Sequence, residues 1–94
     1  MKTVVTRHQS LVDYLIEQGI VSQEEGFEVI THATPEDVKG KDVIGVLPLS
    51  LACLANTITE VPLKLTPEDR GKELTLARVK EIAGDPVTYE VKKV

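Results

Sequence analysis

The chain has no tryptophan, one phenylalanine, two tyrosines and a single cysteine, Cys53. One thiol cannot build a disulfide framework or a cysteine-based metal site, and its apolar surroundings read as those of a buried group. Long apolar runs are also missing, and the N-terminus has no signal-peptide core, so the sequence predicts no membrane partner and a cytoplasmic location. Basic residues are the minority, 11 against 15 acidic ones, for a net charge of −4. That balance argues against coating DNA or RNA, which relies on many contacts from Lys and Arg to phosphates. It leaves room for a small anion held by a few local cations.

What is present is ordinary globular material: 41% hydrophobic and 28% charged residues over 94 positions. The length fits one domain, 1–94, and a domain this small gains from dimerisation because it buries a modest share of its surface. The most apolar stretch runs from Asp42 to Asn56. Val43 to Leu47 reads as a strand buried on both faces, and Pro48 fits the first turn of a helix that reaches Asn56, apolar nearly all round and therefore covered. Thr3-Val4-Val5-Thr6 is β-branched and reads as a first strand, Lys2 to Thr6. Ser10 then caps an amphipathic helix to Gln18 with Leu11, Val12, Leu15 and Ile16 on its inner face, and Gly19 stops it. A second strand is expected at Phe27 to Thr31, a turn of helix at Pro35 to Val38, and a fourth strand at Glu60 to Leu65, with Pro62 near its start or at an edge. Thr75 caps a last helix that presents Leu76, Val79, Ile82 and Ala83 inward; Gly84-Asp85-Pro86 ends it, and an alternating edge strand closes the chain at Val87 to Val94. Strands alternating with helices predict an α/β fold, a small Rossmann-like three-layer sandwich around a mainly parallel five-stranded sheet.

In such a sheet the strand ends gather at one rim, which brings Thr6, Arg7 and His8 toward Pro48, Leu49 and Ser50 if the first and third strands are neighbours. A guanidinium clamps a phosphate with two hydrogen bonds, and an imidazole exchanges a proton near neutral pH. Together they suit phosphodiester chemistry. The bland alternative pairs Arg7 with a surface carboxylate and leaves His8 on a turn. Arg70, Gly71 and Lys72 lie in a polar loop that reads either as a lid bringing positive charge to an anion or as a solvated turn. His32 reads as structural or solvent-facing. Two histidines with no further ligand pattern predict no metal, and neither Ser50 nor Thr6 sits in a nucleophile elbow.

Val5-Thr6-Arg7-His8, the helix ending Glu17-Gln18-Gly19-Ile20, Asp42-Val43-Ile44-Gly45-Val46-Leu47-Pro48 and Arg70-Gly71-Lys72-Glu73-Leu74-Thr75 together resemble the small CRISPR-associated family called Csx-sixteen. The resemblance runs from Val4 to Tyr89-Glu90-Val91. Arg7, His8, Leu47, Pro48, Arg70 and Glu73 match its pattern, while Gln9-Ser10 stands where many members carry Pro-Gly and Ser50 occupies a variable polar position. The resemblance implies a CARF-like homodimer accompanying type III CRISPR systems, a ring nuclease that cleaves cyclic tetra-adenylate without metal or cofactor. It implies His8 as general acid or phosphate donor and Arg7 as phosphate clamp. Ligand contacts would come from Thr6, Ser10, Leu47, Pro48, Leu49, Ser50, Arg70, Gly71 and Lys72. Three rival readings stand beside it: a protein that sequesters the cyclic nucleotide intact, an interaction dimer in which Arg7-His8 is incidental, and a generic metal-dependent nucleotide enzyme.

Overall fold

A computed structural model describes residues 2–69 and 71–94. Five strands form one sheet in the order β2-β1-β3-β4-β5. These are β1 (Lys2–Val5), β2 (Phe27–Ile30), β3 (Asp42–Gly45), β4 (Thr57–Glu60) and β5 (Val87–Tyr89). The first four run parallel, with Val4 level with Val29 and Ile44, and β5 closes one edge antiparallel to β4. The mainly parallel five-stranded α/β sheet is therefore as expected, with β1 and β3 adjacent.

Period-two alternation on β1 and β3 separates two cores. Val4 and Ile44 point to the face covered by α1 (Gln9–Glu17), where they pack with Val12, Leu15 and Val61. Leu15 is fully buried, worth about 1.5–3 kcal/mol of hydrophobic free energy for a side chain of that size. The last helix, α4 (Leu76–Ile82), lies beside α1 and buries Val79 and Ile82. Thr75 caps it through its hydroxyl, which accepts the Arg78 N–H at 3.1 Å. On the opposite face Val5 and Val43 pack with Val38 of α2 (Pro35–Val38) and with Leu51 and Ala55 at the single-turn helix α3 (Leu49–Ala52). Helices on both faces complete the three layers.

The structure corrects several sequence expectations. β3 ends at Gly45, and Val46 is 73% exposed, so the strand is shorter than Val43 to Leu47. The long covered helix from Pro48 to Asn56 is a single turn with Leu49 75% exposed. The chain leaves it early because the Asn56 N–H donates to the Lys41 carbonyl at 2.8 Å and the Asn56 amide to Asp42, which pulls the backbone into β4. Cys53 is consequently half-buried, its thiol donating to the Ser50 carbonyl. β4 occupies Thr57–Glu60 and not Glu60 to Leu65. Beyond it the backbone departs from the sheet: Lys64 N–H donates to Ile82 carbonyl and Gly84 N–H to Pro62 carbonyl, tying 62–64 to the end of α4. β5 stops at Tyr89, short of Val94.

Candidate functional site

A sheet ordered 2-1-3-4 with parallel strands has its switch point between β1 and β3, where the connections leave over opposite faces and the rim opens into a crevice. The sequence places Thr6-Arg7-His8 after β1 and Val46-Leu47-Pro48 after β3. The two ends meet closely. Gly45 sits level with Val5 at φ 142°, a backbone region reserved for glycine, and a Cβ there would run into the Val5 carbonyl oxygen. Local hydrogen bonds then shape the turn: Thr6 N–H donates to the Ile30 carbonyl at 3.1 Å, and the Thr6 hydroxyl accepts the His8 N–H at 3.1 Å. His8 is the N-cap residue of α1, with its carbonyl taking the Leu11 N–H. Ser10, expected as the cap, lies inside the first turn instead, with a buried Oγ that has no hydrogen-bond partner among the described residues.

Beside this turn lies a cavity of about 310 Å³ lined by Val5, Thr6, Arg7, His8, Leu11, Thr31, Gly45, Val46, Val61 and Leu63. Its floor is apolar and its rim carries a guanidinium, an imidazole and hydroxyls, a distribution typical of small-ligand sites. Arg7 and His8 are both exposed. The Arg7 guanidinium meets no carboxylate among the described contacts. It instead approaches His32, with Nη2 3.4 Å from Nδ1. His32 follows β2, the parallel neighbour of β1, so adjacency in the sheet assembles what 25 residues of sequence separate. The sequence reading set His32 aside. The signal that locates it is positional: like His8, it stands just past the C-terminal end of a strand.

Leu47 is half-buried in the α2–α3 core, and Pro48 is the N-cap of α3, its carbonyl accepting the Leu51 and Ala52 N–H groups. Leu49 and Ser50 are exposed. A one-turn helix supplies few aligned peptide dipoles, so the pull on an anion is weaker than a helix reaching Asn56 would give. Leu47 and Leu49 line a neighbouring apolar cavity of about 240 Å³ that reaches Ile58, Tyr89 and Val91 and shares Gly45 and Val46 with the first. The two cavities thus adjoin at the end of β3.

The polar loop is held elsewhere. Arg70 lies outside the described residues. Gly71, at φ 72°, and Lys72 are exposed and line none of the walls just described. A 3₁₀ turn at Pro67–Asp69 precedes them, and its Asp69 carboxylate takes two 2.9 Å hydrogen bonds from Arg78 of α4 as well as the Thr66 N–H. The Arg78 guanidinium, followed by Thr66, holds the Asp69 carboxyl well below the usual carboxylate range. In turn the carboxylate raises the guanidinium further above its ordinary value. Among the described residues no three His, Cys, Asp or Glu side chains gather as a metal-binding group, and no helix is long and apolar enough to cross a membrane.

No curated protein matches this chain, and no solved structure does either. A family model described as "Putative CRISPR-associated protein (Cas_VVA1548)" matches residues 3–92, a span that includes all of the sheet but Lys2, the residues lining both cavities, and Arg7, His8 and His32. The chain therefore belongs to that family of small CRISPR-associated proteins.

Proposed function

We propose that this protein is a CARF-like ring nuclease, a metal-independent enzyme that opens cyclic tetra-adenylate to linear di-adenylate and so silences type III CRISPR signalling. The observation that carries the reading is the position of Arg7 and His8 at the β1–β3 switch point, over an apolar-floored cavity. Family membership supplies the CRISPR setting. A ribose 2′-hydroxyl attacks the adjacent phosphorus in line, the bond from phosphorus to the 5′ oxygen breaks, and a 2′,3′-cyclic phosphate and a free 5′-hydroxyl result. Arg7 clamps the phosphate and offsets the charge that builds on it, while His8 donates to a phosphate oxygen or to the leaving oxygen. Thr6 and the backbone around Pro48 to Ser50 border the ligand, and Lys72, which lines neither cavity of its own protomer, would reach it from the partner subunit.

Size favours a dimer. About 310 Å³ lies at the small end of ligand pockets, so one protomer accommodates part of a four-nucleotide ring, and a two-fold axis would present equivalent groups to equivalent phosphates. The apolar surface continuing from the site over Val46, Leu49, Tyr89 and Val91 is the face we assign to the second copy.

The test is incubation with cyclic tetra-adenylate in EDTA with enzyme in excess, products separated by chromatography. Di-adenylate ending in a 2′,3′-cyclic phosphate is expected. His8→Ala should slow the reaction far more than it weakens binding, and Arg7→Ala should weaken binding about 10–100-fold, the worth of a charged hydrogen-bond pair. Intact ligand with saturable binding would select the sequestering alternative; no binding at all would leave the interaction dimer, which the exposed α3–β5 face favours.

A further inference from the structure

We infer that His32 is the second imidazole of this site and takes the 2′-hydroxyl proton during cleavage. The inference rests on the ring-nuclease reading. In-line displacement requires two proton movements: the 2′ oxygen loses its hydrogen as it bonds to phosphorus, and the 5′ oxygen gains one as its bond to phosphorus breaks. The attacking and leaving oxygens lie on opposite sides of phosphorus. One imidazole cannot serve both in a single step, and His8 serves one.

His32 meets Arg7 from the neighbouring strand. It follows β2, whereas His8 leads away into α1, and His32 Nδ1 lies 3.4 Å from Arg7 Nη2. A guanidinium only donates, so Nδ1 accepts and the neutral ring keeps its hydrogen on Nε2. The lone pair needed for proton abstraction is thereby held beside the phosphate clamp. When a phosphodiester draws the guanidinium hydrogens to its own oxygens, that lone pair is released next to the arriving ribose. Of the acidic residues close to His32 along the chain, Glu28 pairs with Lys41 at 3.4 Å, Asp37 is engaged by the Thr34 N–H and hydroxyl at 2.9 Å each, and Glu36 lies beside Asp37 in the first turn of α2. Arg7 is the charged group in contact with His32 among the described residues.

Single-turnover cleavage of cyclic tetra-adenylate in EDTA, followed from pH 5 to 9 (roughly the range in which imidazoles titrate), tests this with wild type, His32→Ala and His32→Gln. The glutamine amide can still accept from Arg7 but takes up no proton there. Both variants should lose the limb in which the rate climbs from acid toward neutral pH, and should cleave at least about 100-fold more slowly at the plateau. His32→Gln should bind within about threefold of wild type. A cleaving wild type whose His32→Gln variant keeps that limb and its rate overturns this inference alone. A wild type that binds without cleaving overturns the ring-nuclease reading and this inference with it.

Discussion

Gly45 shows how one residue without a side chain sets the width of the site. Its φ of 142° and the absence of room toward the Val5 carbonyl let β1 and β3 stay paired to their last residues, which keeps the Arg7 and Pro48 turns side by side. Gly45→Ala would have to twist the end of β3 and push β1 away. We expect a loss of about 2–3 kcal/mol in denaturant unfolding, from strain at a glycine-only backbone position. Ligand affinity should fall with it. Wild-type stability in the alanine variant would mean that the strand ends accommodate a side chain, and the close approach would lose its role. At this scale the sequence was partly readable. Arg7 and His8 were visible because they interrupt an apolar strand end, but His32 was not, since nothing in a linear chain says that the second strand will lie beside the first on the side away from the third.

Among the elements, the 3₁₀ turn at Pro67–Asp69 is anchored to α4 through the Asp69–Arg78 pair. Its depressed carboxylate works on stability in one direction. The contribution is complete above the ordinary carboxylate range, about pH 4 in an unfolded chain, and fades as pH falls through the lower folded value. Asp37, lowered mainly by the Thr34 N–H, and Asp42, lowered mainly by the Asn56 amide, act the same way. Asp69→Asn should therefore melt below wild type at neutral pH, with the gap closing as acid is added below about pH 4. A gap that is constant with pH would show that the charge on Asp69 is immaterial to the loop.

The elements also show where reading the chain stops working. Helices α1 and α4 were legible because their apolar residues repeat at helical spacing and their ends carry Gly19 and Gly84. β4 was misplaced because Val61, Leu63 and Leu65 alternate more convincingly than Thr57-Ile58-Thr59-Glu60. That alternation is real, yet it serves a segment that pairs with the end of α4 through Leu63 and Ala83. α3 was overextended because small apolar residues satisfy a helix and an interface equally well.

For the whole molecule, the exposed apolar side chains are unevenly spread. Val46, Leu49, Leu54 and Tyr89 fall around α3 and β5, whose two adjoining cavities share Leu49 and Val91. If a second copy covers this face, Leu49→Glu should convert dimer to monomer by light scattering while changing monomer stability by no more than about 0.5 kcal/mol, as is usual at exposed positions. Cleavage should then fall with the dimer. An unchanged mass would place the contact elsewhere.

The strand order has a consequence for how the protein comes into being. β1 precedes the other four strands in the chain, yet it lies between β2 and β3. Both of its partners are parallel to it, so each pairing must await a complete crossover, and the chain cannot enclose β1 until Gly45 has been made and docked. Arg7 and His8 are thus made before both neighbouring strands and acquire their surroundings only after them. A nascent or truncated chain ending before β3 carries Arg7, His8 and His32 but lacks the Gly45, Val46, Val61 and Leu63 walls of the cavity.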